Sequence, residues 1–332
     1  MADGTSWGGC PSATGGLPGS DDLAHAAAEI AITELGTSPY RARFPLHGAW
    51  AVGAWIGELP RPTQGIDLLD RGRGSADEVV EALQSALGPC PRGLLLDWAD
   101  VRVRTKAARR SPLHRISIPA WLGRRRLDLR IDVTVARTAV SEIEFRPLRS
   151  RSTRSASIWA ACCPAEEIVA EKAALLVTYG ADHTRLQDVF DLRLLSRRIR
   201  FDGSALVDAM AAVFEGRDAA RMLGRDDGYW QGAFNPRRVT PADEARWADL
   251  SGTAGPDARP RSLAATLGSL ARFLVPVLQA LRHGADLGTG WEPGTGWVAT
   301  TARRPGRTWH PDTVARSDFR KAAIVMMGVG RK

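Results

Sequence analysis

Two aspartates in strand-like segments, Asp67 and Asp132, have the chemistry to share a divalent cation. Mg2+ takes hard oxygen ligands, keeps several waters, and is commonly held by one or two carboxylates together with substrate phosphates. Asp67 sits in Ile66-Asp-Leu-Leu69, where a carboxylate can equally cap a turn. Asp132 sits in Leu127–Val135, where five apolar residues alternate with Asp128, Arg130, Asp132 and Thr134. A period of two puts the polar set on one face of a strand, so Asp132 can equally be a solvated position. Lys172 stands in a helical Ala- and Leu-rich stretch of a chain poor in lysine, and could meet phosphate as a point charge. Arg185 and Asp188 are spaced to share a helix face, where they can form a surface ion pair.

The elements that must position these residues read clearly in the first two thirds of the chain. Ser20-Asp-Asp22 opens a helix that Gly36 ends. Phe44 to Gly48 is a short apolar run reaching a glycine, and Ala49 to Ile56 a small Ala- and Trp-rich helix. Arg61 to Gly65 turns the chain into the Ile66–Leu69 strand. Ser75 with Glu78 forms a capping box for a helix to about Leu87. Strands follow at Leu94–Leu96, Val101–Arg104, Arg115–Pro119 and Leu127–Val135. After Pro164 the pattern turns helical: Glu166–Thr178, Thr184–Arg197, Ser204–Phe214, residues 240–250 and residues 262–282.

This organisation predicts an α+β protein, a mixed-sheet lobe over 21–148 followed by a helical lobe over 158–283, with a Ser/Arg-rich linker between. Residues 1–20 are Gly- and Ser-rich and read as a disordered tail, and 284–332 as a loosely ordered extension. The chain has 332 residues, 44% of them hydrophobic, enough for a substantial core. A net charge of +8 favours anionic partners. Basic clusters at Arg102, Arg104, Lys106, Arg109 and Arg110, at Arg124–Arg126, and at Arg149, Arg151 and Arg154 could frame a groove for an RNA backbone, or simply be solvated. The four cysteines show no C-x-x-C spacing, which argues against a zinc site or disulfide framework and fits a reducing cytoplasm. No secretory signal or membrane span is expected. There is no G-x-x-x-x-G-K-[ST] loop, H-E-x-x-H helix or G-x-S-x-G elbow.

The segment Ser38–Trp50, continuing through Arg61-Pro-Thr-Gln-Gly-Ile-Asp-Leu-Leu69, resembles the opening of AbiEii-type nucleotidyltransferase toxins. In that family a strand ends at a glycine, a short helix follows, and R-x-T-x-D-x-D enters a second strand. The resemblance returns at Ile131-Asp-Val133, at Glu167-Ile-Val-Ala-Glu-Lys172 and at Arg185-Leu-Gln-Asp-Val-Phe-Asp-Leu192. It implies the toxin half of a type IV toxin–antitoxin or phage-abortive system, transferring a nucleoside monophosphate from an NTP to an acceptor such as tRNA. It further implies that Asp67 and Asp132, rather than Asp128, hold Mg2+. Lys172 and Arg185 would contact phosphates and Asp188 orient them; Gly48, Arg61 and Thr63 would line the substrate site, and Asp191 would face elsewhere in a structural role.

Three positions depart from the family pattern. Gly65 stands where D-x-D has its first Asp, and His47 and Gln187 stand where the family carries basic residues. One carboxylate fewer predicts weaker metal binding and slower chemistry. Asp70 falls on the wrong face to replace it, and Glu58 precedes the turn. Two other readings therefore stand beside the first: a nucleotidyltransferase-like protein that binds nucleotide, RNA or a cognate antitoxin without turnover, and a small-molecule nucleotidyltransferase.

Overall fold

In the computed structural model the described residues are 20–299, apart from 64, 73, 107–110, 137–142, 152–156, 180–184, 216–218, 226 and 253–261. The first lobe opens with α1 (Ser20–Thr37), β1 (Leu46–His47), α2 (Gly48–Ile56), β2 (Ile66–Asp70) and α3 (Ala76–Leu87). Strands β3 (Leu94–Leu96), β4 (Arg102–Lys106), β5 (Leu113–Leu122), β6 (Arg125–Val135), β7 (Glu144–Arg149) and β8 (Ser157–Cys162) complete its sheet. Helices α4 (Ala165–Tyr179) and α5 (Leu186–Arg198), strand β9 (Phe201–Asp202), and helices α6 (Gly203–Glu215), α7 (Ala219–Leu223), α8 (Asp227–Trp230), α9 (Pro241–Gly252) and α10 (Leu263–His283) follow, then β10 (Thr289–Glu292) and β11 (Gly296–Ala299).

The main sheet runs β3-β5-β6-β2-β1-β8-β7, with β4 sharing the outer edge of β5. It is mixed: β2 lies parallel to β6 and β1 parallel to β8, whereas β5–β6, β1–β2 and β7–β8 are antiparallel. The alternation read in Leu127–Val135 is realised on β6, with Leu129, Ile131, Val133 and Val135 buried and Arg130 exposed. The buried side faces α1 and α3, where Ile32, Leu35, Leu83 and Leu87 enclose the same small space as Ile66, Leu68 and Ile131. The capping box at Ser75 and Glu78 forms as expected, satisfying two backbone donors at the start of α3. On the other side lies α2, buried all round from Ala49 to Ala54, with Trp50 fully enclosed and its indole N–H donating to the Gly65 carbonyl at 3.0 Å.

Two expectations change. The sheet does not end near residue 148: β8 pairs with β7 and with β1, so Ser157–Cys162 belongs to the first lobe. Its sequence, SIWAAC, lacks the alternation of an amphipathic strand because Ile158, Ala160, Ala161 and Cys162 are all buried. Residues 284–299 are not loosely ordered but hold the β10–β11 hairpin, which pairs with β9. Trp291 and Trp297 pack on Phe273 of α10, with ring centroids 4.8 and 6.0 Å away, so aromatic burial replaces the missing aliphatic periodicity. The helix expected over 262–282 forms as α10, which by length and composition alone is apolar enough to cross a membrane. Its buried stripe, from Leu263 through Leu270 and Phe273 to Leu281, packs against α5, α6 and α9. The tail over 1–19 and the segment 300–332 lie outside the described residues, as do Arg109, Arg110 and Arg154.

Candidate active site

The site begins where β1 stops. Gly48 takes a φ of +60° and turns the chain from strand into helix α2. A Cβ at this position would lie 2.2 Å from Asp67 Oδ2, so the glycine is required both by its backbone and by the carboxylate lying over it. Register then fixes the rest. His47 is opposite Asp67, Asp67 opposite Asp132, Asp132 opposite Arg115, and Arg115 opposite Arg104. These five residues form one row across five strands on one face. Adjacent strands are about 4.8 Å apart, so the Asp67 and Asp132 carboxylates can reach one ion.

The two aspartates are not equivalent. Asp67 has no hydrogen bond or ion pair among the described residues, and its carboxyl is pushed above the usual range by burial, with the charge of Asp132 adding. His47, Lys172 and Arg61 act in the opposite direction and do not overcome this. Asp132 is clamped in a two-pronged pair by Arg115, with Nε at 2.9 Å and Nη2 at 2.7 Å. Arg115 is largely exposed, so water screens this pair and it contributes little to stability.

The second half of the site comes from α4 and α5. Lys172 Nζ donates to Asp188 Oδ1 at 3.0 Å and to Asp191 Oδ2 at 2.8 Å. Arg61 Nε and Nη2 donate to the two oxygens of Asp191 at 2.9 and 2.8 Å, and Arg185 Nε donates to Asp188 Oδ2 at 2.8 Å. The expectation that Asp191 faces elsewhere is therefore wrong. Positions three apart on a helix share a face, so Asp188 and Asp191 point at the same lysine. The spacing that paired Arg185 with Asp188 was the signal available in the sequence. Asp191 is fully buried; burial alone would raise its carboxyl, but Lys172 and Arg61 outweigh that and hold it below the usual range. Burial likewise works against a charged Lys172, yet Asp191 and Asp188 keep it firmly protonated. Three cations against two carboxylates leave this cluster one net positive charge.

Other expected residues fall into lesser places. Arg61 spends its Nε and Nη2 on Asp191, and its remaining nitrogen is 3.4 Å from the Pro62 carbonyl, so it fixes the cluster. The Thr63 hydroxyl turns back on its own loop, 3.4 Å from the Gly65 carbonyl. Asp70 lies buried on the opposite face, held by Arg43 at 2.8 Å and by the amides of Gly72 and Gly74, and cannot replace the missing carboxylate. Glu58 and Gln187 are exposed. Asp128 pairs with Arg102 at 3.1 Å, and His47 lies 3.7 Å from Glu171.

Among the described residues no three His, Cys, Asp or Glu side chains cluster as a metal cage. The two carboxylates present do suit Mg2+. Asp67 is an acceptor with no donor among the described residues and burial disfavours its charge, so with Asp132 it could hold Mg2+ alongside phosphate and water.

Paired sheet aspartates thus lie beside a glycine turn and within electrostatic reach of a buried cationic cluster. The chain belongs to the AbiEii family, described as nucleotidyl transferase AbiEii toxin of the type IV toxin–antitoxin system, whose profile matches residues 30–269. Membership implies a nucleotide substrate and a cognate antitoxin. No curated protein matches the sequence. Two solved structures from Helicobacter pylori are similar. One, described as a "putative nucleotidyltransferase", has a TM-score of 0.45 and 16% identity over 82% of this chain and 100% of its own. The other, JHP933, has a TM-score of 0.42 and 15% identity over 79% of this chain and 94% of its own.

Proposed function

We propose that this protein transfers a nucleoside monophosphate from an NTP to an RNA acceptor, such as a tRNA end, in the cytoplasm. The observation that carries the reading is the placement of Asp67 and Asp132 as register partners on one sheet face. They would hold Mg2+, which when bound neutralises triphosphate charge and steadies the reacting oxygens. The acceptor oxygen attacks the α-phosphorus, a new O–P bond forms, the α–β bridging P–O bond breaks, and pyrophosphate leaves. The hydroxyl proton passes to the Asp67–Asp132 carboxylate pair. Lys172 has three N–H donors, two of them spent on Asp188 and Asp191, which leaves one for phosphate. Arg185 is partly exposed and offers its unused guanidinium edge to the same anion. Asp188 and Asp191 position these cations, and Arg61 positions Asp191.

A second reading rests on a specific observation. Gly65 supplies no ligand and Asp132 is already paired with Arg115, which suits a protein that binds nucleotide or antitoxin without turnover. Incubating purified protein with each labelled NTP, Mg2+ and total tRNA separates the two. Label in RNA from wild type, lost in Asp67→Asn, supports the transferase. NTP binding with no transfer to RNA refutes it in favour of the binding protein.

A further inference from the structure

The sheet face that carries Asp67 and Asp132 is covered over only half its width. Helix α2 packs over β2, β1, β8 and β7, and α4 and α5 pack against α2. Over β6, β5 and β4 the same face is open: Arg102, Arg104, Lys106, Arg115, Arg126 and Arg130 are all exposed. Register places them together. Ser117 lies between Arg102 and Arg130, Arg104 is opposite Arg115, and Arg126 is opposite Trp121. The carboxylates these strands present there, Asp128 and Asp132, are each matched by an arginine, Arg102 and Arg115. Arg104, Lys106, Arg126 and Arg130 form no ion pair among the described residues, so four positive charges stand uncompensated. At the outer end Arg126 lies over the Trp121 ring, 5.8 Å from its centre.

We propose that this open half-face is the RNA-binding surface, gripping the sugar–phosphate backbone and leading the acceptor hydroxyl along the Arg104–Arg115–Asp132 row to Asp67. The inference rests on the transferase reading and names the surface that presents its acceptor. A basic shelf with an aromatic at its margin suits a nucleic acid backbone, bound without reading sequence. The row ends at the reacting carboxylates, which favours a substrate over a regulatory protein.

The test uses the full chain and a fluorescently labelled tRNA. Arg102→Glu/Arg104→Glu/Lys106→Glu alters exposed side chains on a sheet edge, and is expected to weaken tRNA binding more than tenfold. Because each lost phosphate contact removes about 0.7 from the slope of log K against log salt, that slope should fall by about 2. NTP binding should be unchanged. If the triple variant fails to fold, Arg104→Ala/Arg130→Ala replaces it, with a slope change of about 1.4. Arg237→Glu/Arg238→Glu, an exposed basic pair on the second lobe, should bind tRNA as wild type does. The proposal is overturned if the β4 variant keeps wild-type affinity, if the Arg237/Arg238 control loses as much, if wild type binds no tRNA, or if polyglutamate competes as well as RNA. Loss of NTP binding by wild type would sink the transferase reading instead, while the RNA titration still judges the surface.

Discussion

Gly65→Asp tests the metal site at its weakest point. Gly65 immediately precedes β2, and a Cβ there would lie 3.1 Å from the Arg130 carbonyl oxygen and 3.3 Å from Arg130 Cβ. Arg130 shares its face with Asp132, so the new carboxylate would join the existing pair rather than the core. Gly65 has no positive φ, so its backbone accepts an L residue. The contacts require shifts of a few tenths of an ångström, which places the crowding near the lower end of the roughly 1–3 kcal/mol seen for overpacking. Reduced freedom of the unfolded chain offsets about 0.4–1 kcal/mol of that. The variant should therefore fold, losing about 1 kcal/mol or less in EDTA, or about 2 °C in Tm. Repulsion from Asp67 and Asp132 adds to that loss. With Mg2+ the sign reverses. Losing an outer-shell partner of a metal ligand already costs 10- to 100-fold in affinity, so regaining a direct ligand should tighten Mg2+ by at least about tenfold. At saturating Mg2+ that is worth about 1.4 kcal/mol, or about 3 °C. Thermal unfolding of both proteins in EDTA and in Mg2+, alongside label incorporation into tRNA, reads the effect. If Gly65→Asp folds but shows the same Mg2+ increment and the same activity as wild type, position 65 is not the missing ligand and the D-x-D alignment is wrong.

Lys172→Ala should lower stability by about 3 kcal/mol, read as a shift in urea midpoint, because Asp188 and Asp191 would each keep only one arginine in a buried site; an unchanged midpoint would mean the cluster is not packed as described. Asp67→Asn should raise Tm in EDTA at neutral pH while abolishing the Mg2+ increment. The raised Asp67 carboxyl costs stability above its folded pKa, and that cost vanishes as pH falls below the unfolded value, so the gain should shrink on acidification. Asp191 has the opposite sign: its lowered pKa contributes stability above the unfolded value near pH 4 that is lost as pH falls through the folded one, and Asp191→Asn should flatten the acid limb of stability against pH. Iodoacetamide at pH 8 should modify exposed Cys90 but not Cys162, whose thiol burial pushes up to about 12, nor the enclosed Cys163; peptide mapping of labelled native protein checks this.

The sequence by itself determined the elements and much of the cast. Alternation in Leu127–Val135, the Ser75–Glu78 capping box and the apolar helix at Ala49–Ile56 are local signals, set by side-chain period and backbone chemistry over a few residues, and each became the expected element. Motif order also pointed to Gly48, Asp67, Asp132, Lys172 and Asp188. The tertiary structure alone decided how they combine. Which residue stands beside Asp67 depends on the parallel pairing of β2 with β6, a contact across more than sixty positions that no local period encodes. The same holds for the bond of Arg61 to Asp191, the clamp of Arg115 on Asp132, and the placing of β8 next to β1. Charge partners are chosen by proximity in space, because an ion pair gains from a few ångströms of separation and is indifferent to distance along the chain.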